Sequence, residues 1–273
     1  MTRFNTQSPA AWPWPFLHIA HRGLPEQAAE NSLRGFAMAA ALGAEMIETD
    51  LRLSADGALV LAHDDYLDLP RKTRANVARM PLAQLQQWRP GGEPLATLDE
   101  ALGLRHHGAP LTFNLDIKVS GVAPALIAAL RLARRREGVL LTGDAPSTFA
   151  AVRAELPWVQ AALTREAGAA NAPARSLAAL SPWVGGGALG LSLVAAARLH
   201  RVSALTLEHT LATRETVRIC HDAGLRVLVW TVDHVPLMRT MLAIGVDGIT
   251  TNRVDTLLRL TGGGSVAQAK VGR

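Results

Sequence analysis

The sequence predicts an α/β protein: a (β/α)8 TIM barrel with a small hairpin excursion after the second strand. Three observations predict it. Eight short apolar runs, near 17–20, 45–50, 111–117, 138–142, 158–163, 203–207, 226–232 and 247–250, alternate with helical patterns. Eight such units within 273 residues match the size of a closed barrel. The competing open, doubly wound sheet carries a glycine-rich first turn, and "HRGLPEQ" is not one.

Taken in order, the first run is Leu17-His18-Ile19-Ala20, and it ends in His21-Arg22-Gly23. Asn31 reads as the N-cap of the helix that follows. Glu30 either favours that helix start or supports a site. The helix places Leu33, Phe36, Ala37, Ala40 and Ala41 on one face and stops at Gly43. After the second run, "IETDLRLS", comes Ala55-Asp56-Gly57 and then "ALVLAHDD". Asp-Gly between two extended runs signals a hairpin, so 58–62 is expected to be antiparallel and to project from the C-terminal rim. The third run is "LTFNLDIKVS". Helical patterns "APALIAALRLARR", "APSTFAAVRAEL", "TRETVRICHDAG", "VPLMRTMLAIG" and "RVDTLLRL" accompany the later runs. The stretch 165–200, with "WVGGGALG", has the weakest pattern. The expected division is an N-terminal extension at 1–15, one barrel domain at 16–260 and a flexible tail at 261–273.

Composition narrows the partners. Hydrophobic residues make up 49% and charged ones 19%, which excludes wholesale disorder. The net charge of +5 is spread along the chain, and its densest cluster, Arg134-Arg135-Arg136, reads as the solvated end of a helix. No aromatic-plus-basic module accompanies it, so no nucleic-acid partner is expected. Cys220 is the single cysteine, which excludes an intrachain disulfide; it reads as a small buried apolar residue. No basic region precedes a long apolar run, and no stretch approaches ~18 continuous apolar residues. A cytoplasmic protein without stable membrane insertion is the expectation. The oligomeric state is not legible.

Two strand ends concentrate ionisable groups. In "EMIETDLRL", Glu48 and Asp50 share a face, their roots about 6.5–7 Å apart. If that face is the barrel interior, positive charge must compensate them; if the strand has left the core, they are merely solvated. Asp116 and Lys118 in "LDIK" repeat the spacing, with Leu115 and Ile117 turned toward the barrel–helix layer. Asp116 can complete an all-oxygen set with Glu48 and Asp50, suited to Mg²⁺ or Ca²⁺, or it can simply pair with Lys118. His21 and His63 each end an apolar run, and imidazole is the side chain best matched to proton transfer near neutral pH. The set suits a phosphodiester. A cation would neutralise nonbridging oxygens, the histidines would move protons, and Arg22 and Lys118 would bind the remaining phosphate charge.

These motifs closely resemble the glycerophosphodiester phosphodiesterase family. Its hallmarks are His-Arg-Gly, Pro-Glu-Asn-Thr, Ile-Glu-x-Asp, Asp-Gly then His-Asp, Leu-Glu-Ile-Lys and Trp-Thr-Val. Here they stand in order as "AHRG", "AENS", "IETD", "DG…VLAHDD", "LDIK" and "VWTVD", and the resemblance runs from about residue 17 to 258. It implies a (β/α)8 barrel that uses a divalent cation to hydrolyse a small glycerophosphodiester to glycerol 3-phosphate and an alcohol. Glu48, Asp50 and Asp116 would be metal ligands, His21 and His63 the general acid/base pair, Arg22 and Lys118 the phosphate contacts. Trp230 would wall the substrate pocket. Four departures stand out: Asp116 where Glu is commoner, "LDLPRKT" for Leu-Asp-Arg-Thr-Thr, Ala29 for Pro, and Thr251-Asn252 for Thr-Asp, which removes a charge from that rim. Two alternatives stay open: a phospholipase D-type enzyme acting on lysophospholipids, and a non-catalytic barrel that binds phosphorylated ligands.

Overall fold

The structure, a computed structural model, describes residues 16–69, 73–87, 92–167 and 182–262. Its centre is a closed parallel barrel. The strands are β1 (Leu17–His21), β2 (Met46–Leu53), β3 (Phe113–Ile117) and β4 (Val139–Thr142). The circle continues with β5 (Gln160–Arg165), β6 (Ala204–Glu208), β7 (Arg226–Trp230) and β8 (Gly248–Thr251). Each pairs with the next, and β1 pairs with both β2 and β8, which closes it. Helices follow the strands: α1 (Leu33–Leu42), α2 (Leu98–Gly103), α3 (Ala123–Leu132), α4 (Pro146–Glu155), α5 (Pro182–Leu199), α6 (Arg214–Asp222), α7 (Val235–Ile244) and α8 (Val254–Thr261). Every expected strand is present to within a few residues. The hairpin is present too: Leu59–Leu61 runs antiparallel to the end of β2.

The period of two sorts each strand into an outer and an inner face. Ala20, Ile47, Leu51, Leu115 and Ile117 turn outward into the layer shared with the helices. Leu17, Ile19, Met46, Leu140, Ala162, Ala204 and Leu228 turn inward and fill the barrel floor. The same inward series then becomes polar: Leu17 and Ile19 lead to His21, and Met46 leads to Glu48 and Asp50. An apolar floor thus carries a polar mouth. The floor is tight at β8, where a Cβ on Gly248 would lie 2.8 Å from Leu17 Cβ and 2.9 Å from Leu228 Cδ2.

The sequence does not foretell several local features. Residues 182–199 form one helix despite the glycine run. A Cβ on Gly186 would meet Thr213 Oγ1 at 2.9 Å, and one on Gly190 would meet Ile219 at 3.0 Å, so glycine lets α5 press against α6. Arg135 corrects the reading of a solvated triplet. Arg134 and Arg136 are exposed, but Arg135 is buried and donates from a guanidinium nitrogen to the carbonyls of Leu111 (2.6 Å) and Gly138 (3.3 Å). Cys220 is buried as expected, and burial pushes its thiol up to about 11. Among the described residues no helix is long and apolar enough to cross a membrane. The stretch 1–15 and nearly all of 261–273 lie outside the described residues, where only Thr261 at the end of α8 and its left-handed cap Gly262 are seen.

Candidate active site

Strand register assembles the site. Across β1 and β2, His21 stands level with Glu48. Across β2 and β3, Glu48 is level with Asn114 and Asp50 with Asp116. Across β3 and β4, Asp116 is level with Thr142. Inward side chains at equal height meet, so two polar layers sit above the apolar floor. One ligating oxygen from each of Glu48, Asp50 and Asp116 lies within 4.8 Å of the other two. The three line a cavity of about 670 Å³ at the C-terminal end of the barrel. His21, Arg22, His63, Lys118 and Trp230 line the same cavity, so all eight candidate residues meet in one place.

Counter-charge is close at hand. Lys118 Nζ lies 2.5 Å from Asp116 Oδ2 and 3.1 Å from Asp50 Oδ1. Arg22 Nε is 3.2 Å from Asp50 Oδ2, an ion pair without hydrogen-bond alignment, and its NH1 donates to Glu30 at 2.9 Å. The Arg22 backbone N–H donates to Glu48 Oε2 at 3.1 Å. That geometry needs a left-handed turn: Arg22 has φ 53 and Gly23 φ 91, and a Cβ on Gly23 would stand 2.9 Å from the Gly35 carbonyl carbon. His-Arg-Gly is therefore a turn pressed onto α1. It leaves the imidazole in the barrel and folds the guanidinium back over Asp50.

The three acids are unequally served. Burial opposes ionisation of Asp50, yet Lys118, Arg22 and the Asn31 hydrogen bond hold its carboxyl below the usual range. Glu48 is pushed well above that range by burial first and then by Asp50 and Asp116. Although burial works against it, the Lys118 ammonium is raised by Asp116 and Asp50. The site thus holds an oxygen cluster short of positive charge at Glu48. Three converging hard donors, one of them under-compensated, fit a hard divalent cation.

Asn31 is not the helix cap. It has φ 55, and Ser32 caps α1 by accepting from the Gly35 N–H at 3.1 Å. The Asn31 amide donates to Asp50 Oδ2 at 3.0 Å, and its carbonyl accepts from Thr49 Oγ1 (2.7 Å) and Asp50 N (3.3 Å). It fixes the rotamer of a candidate ligand. Glu30 engages Arg22 rather than the helix start.

The two histidines approach the cavity from different elements. His21 Nδ1 lies 2.7 Å from Asn252 Oδ1, and its Nε2 lies 3.8 Å from Glu48 Oε2. Burial and then Arg22 lower its basicity, against the Asn252 hydrogen bond, Asp50 and Asp233. His63, on the loop beyond the hairpin strand, is half-buried, with Nδ1 2.7 Å from Asp64 Oδ1. Its carbonyl accepts from Arg52 Nε at 2.9 Å. Sequence reasoning missed Asn252 as a partner of His21, and missed Asp233, which accepts from the Asn252 side chain and backbone and from Thr251 Oγ1. The signal was present in "VWTVD", whose last residue supplies the charge that Thr251-Asn252 lacks.

The chain is similar to proteins of one family and to solved structures of the same fold. The family model described as "Glycerophosphoryl diester phosphodiesterase family" matches residues 21–256. A glycerophosphodiester phosphodiesterase of Caldanaerobacter subterraneus subsp. tengcongensis is 28% identical over 257 residues, spanning 89% of this chain and 97% of that relative. Two solved structures share the fold. A Parabacteroides distasonis glycerophosphodiester phosphodiesterase superposes with a TM-score of 0.72 at 21% identity, covering 91% of this chain and 97% of that one. An Oleispira antarctica phosphodiesterase, solved in complex with the product sn-glycerol-3-phosphate, gives 0.71 at 21% identity, with coverages of 89% and 96%.

Proposed function

The chain belongs to the glycerophosphoryl diester phosphodiesterase family, and on that premise we propose that it uses a divalent cation, Mg²⁺ or Ca²⁺, to release glycerol 3-phosphate and an alcohol from a glycerophosphodiester. The carrying observation is the convergence of Glu48, Asp50 and Asp116 beside two imidazoles in one cavity. Those three carboxylates would hold the cation, which when bound draws charge off the nonbridging phosphate oxygens and polarises the attacking oxygen. Arg22 and Lys118 already face this cluster, and both turn to the phosphate when it enters, Arg22 as a fork and Lys118 as a point charge. With Nδ1 of His21 on Asn252 and Nδ1 of His63 on Asp64, each ring keeps Nε2 for a proton. One ring takes a proton from the attacking oxygen, and the other gives one to the departing alcohol. Trp230 lines the cavity, where its indole would wall the bound substrate.

The cavity also supports a small polar substrate over an acyl chain. Its lining includes Thr142, Thr164, Thr206 and Thr250 with Arg165 and Asp144. Among the described residues the exposed leucines Leu42, Leu132, Leu191 and Leu199 lie on helices α1, α3 and α5, while exposed Tyr66 stands three residues beyond His63. The test is release of glycerol 3-phosphate from glycerophosphocholine, measured beside lysophosphatidylcholine. Activity is expected to vanish in EDTA, return with Mg²⁺ or Ca²⁺, and fall about 10²–10⁴-fold in His21→Ala. Turnover indifferent to chelation, or preference for the lysophospholipid, would overturn the proposal.

A further inference from the structure

We propose that Asn252 and Asp233 act as positioning residues that fix the tautomer of His21, through a chain of hydrogen bonds whose direction is set by the Asp233 carboxylate. A carboxylate only accepts. Asp233 Oδ1 accepts from Thr251 Oγ1 at 2.9 Å and from the Asn252 backbone at 2.8 Å, and Oδ2 accepts from Asn252 Nδ2 at 2.7 Å. The Asn252 amide is therefore unable to flip: its nitrogen is committed to Asp233. Its oxygen is left facing His21 Nδ1 at 2.7 Å, and an amide oxygen can only accept. His21 must carry its proton on Nδ1. The bare nitrogen of the neutral ring is then Nε2, the one that faces the carboxylate cluster.

The chain spans three separate places in the sequence, at the ends of β1 and β8 and just after β7. A single acidic residue at 252 would set the same tautomer directly. Here the charge is on Asp233, one side chain farther from His21 along the hydrogen bonds, and acts through a neutral amide. The inference deepens the proton-moving role proposed for His21 and rests on it.

The structure supplies its own test. Asp233→Asn turns an acceptor into a donor opposite Asn252 Nδ2, which makes the Asn252 amide flip and offer its nitrogen to His21. The proton then moves to Nε2, and kcat is expected to fall roughly 10²-fold or more with KM little changed. Asn252→Leu removes the contact and should do the same. The double variant Asp233→Asn/Asn252→Asp exchanges donor and acceptor: the new amide at 233 donates to the new carboxylate at 252, which again accepts from Nδ1. It is expected to recover most of the lost kcat. In Mg²⁺-loaded protein, ¹⁵N spectra of the neutral ring should show the proton on Nδ1 in the wild type and the double variant, and on Nε2 in Asp233→Asn. The His21 signals are assigned by their loss in His21→Ala. Wild-type kcat in both single variants, or an unchanged tautomer in Asp233→Asn, would overturn the inference while leaving the proposed function intact. Full activity in His21→Ala would overturn the proposed function itself.

Discussion

Glu48→Gln should make the metal-free protein more stable while destroying its response to a divalent ion. Glu48 is 7% exposed and has one hydrogen bond from the Arg22 backbone. The ion pairs of Lys118 and of the Arg22 side chain go to Asp50, Asp116 and Glu30 instead. Two unit charges separated by the 4.8 Å that bounds this cluster repel by about 3.5 kcal/mol at an effective dielectric of 20. Glu48 feels two such neighbours, and the two cations at one further remove offset most of that. A net gain of about 1–3 kcal/mol on neutralisation follows, in line with what replacing buried charge by neutral groups yields. For a domain of this size it corresponds to a melting temperature raised by about 2–10 °C. Glutamine keeps the shape and can still accept from Arg22, so no cavity opens.

The pH dependence fixes the sign. A carboxyl whose native pKa lies above its unfolded value binds its proton more tightly when folded. Wild-type metal-free stability therefore falls as pH rises from about 4.3 toward the raised native value. The benefit of Glu48→Gln is absent below that window and full above it. Thermal melts in EDTA at pH 4 and pH 7.5, repeated with Mg²⁺, provide the assay. At pH 7.5 the wild type should gain stability on adding the ion, by about 2.7 kcal/mol at one hundred times Kd, whereas the variant should gain little. A variant less stable than wild type in EDTA at pH 7.5, or equally stabilised at both pH values, would refute the reasoning.

Two other substitutions probe the surroundings. Asn31→Ala removes the amide that holds Asp50 and leaves Thr49 Oγ1 without that partner; it should weaken Mg²⁺ binding by calorimetry about 10–100-fold, as loss of an outer-shell partner does. Arg135→Leu leaves the carbonyls of Leu111 and Gly138 without their guanidinium donor, and denaturant unfolding should show a loss of about 1–3 kcal/mol with glycerophosphodiester turnover unchanged at low temperature.

What was legible in the chain is what two simple periods encode. Alternation along a strand told that Glu48 shares a face with Asp50, and Asp116 with Lys118. Asp56-Gly57 told that the chain doubles back, which carries His63 to the rim. Spacing alone left open whether these faces meet. That needed the register of β1, β2 and β3, which places His21 opposite Glu48 and Asp50 opposite Asp116. The family motifs supplied that register by resemblance, and the eight residues they named, scattered from 21 to 230, line one cavity.

The misreadings share a cause. Asn31 and Ser32 are both good helix caps, and the choice fell to Ser32 because Asn31 takes a left-handed backbone, with φ 55, that turns its amide inward to Asp50. Arg135 sits between two exposed arginines, and only its two bonds to carbonyls at the barrel base bury it. Asn252 stands 231 residues from His21, so no local pattern links them. In each case the residue type alone did not tell the role, which was decided by a partner on another element: Asp50 on β2, the Leu111 carbonyl before β3, and His21 at the end of β1. A barrel makes this the rule at its mouth. Strand period fixes which side chains point inward, but loops that begin far apart in the chain end side by side there, and they determine which way each amide and imidazole faces.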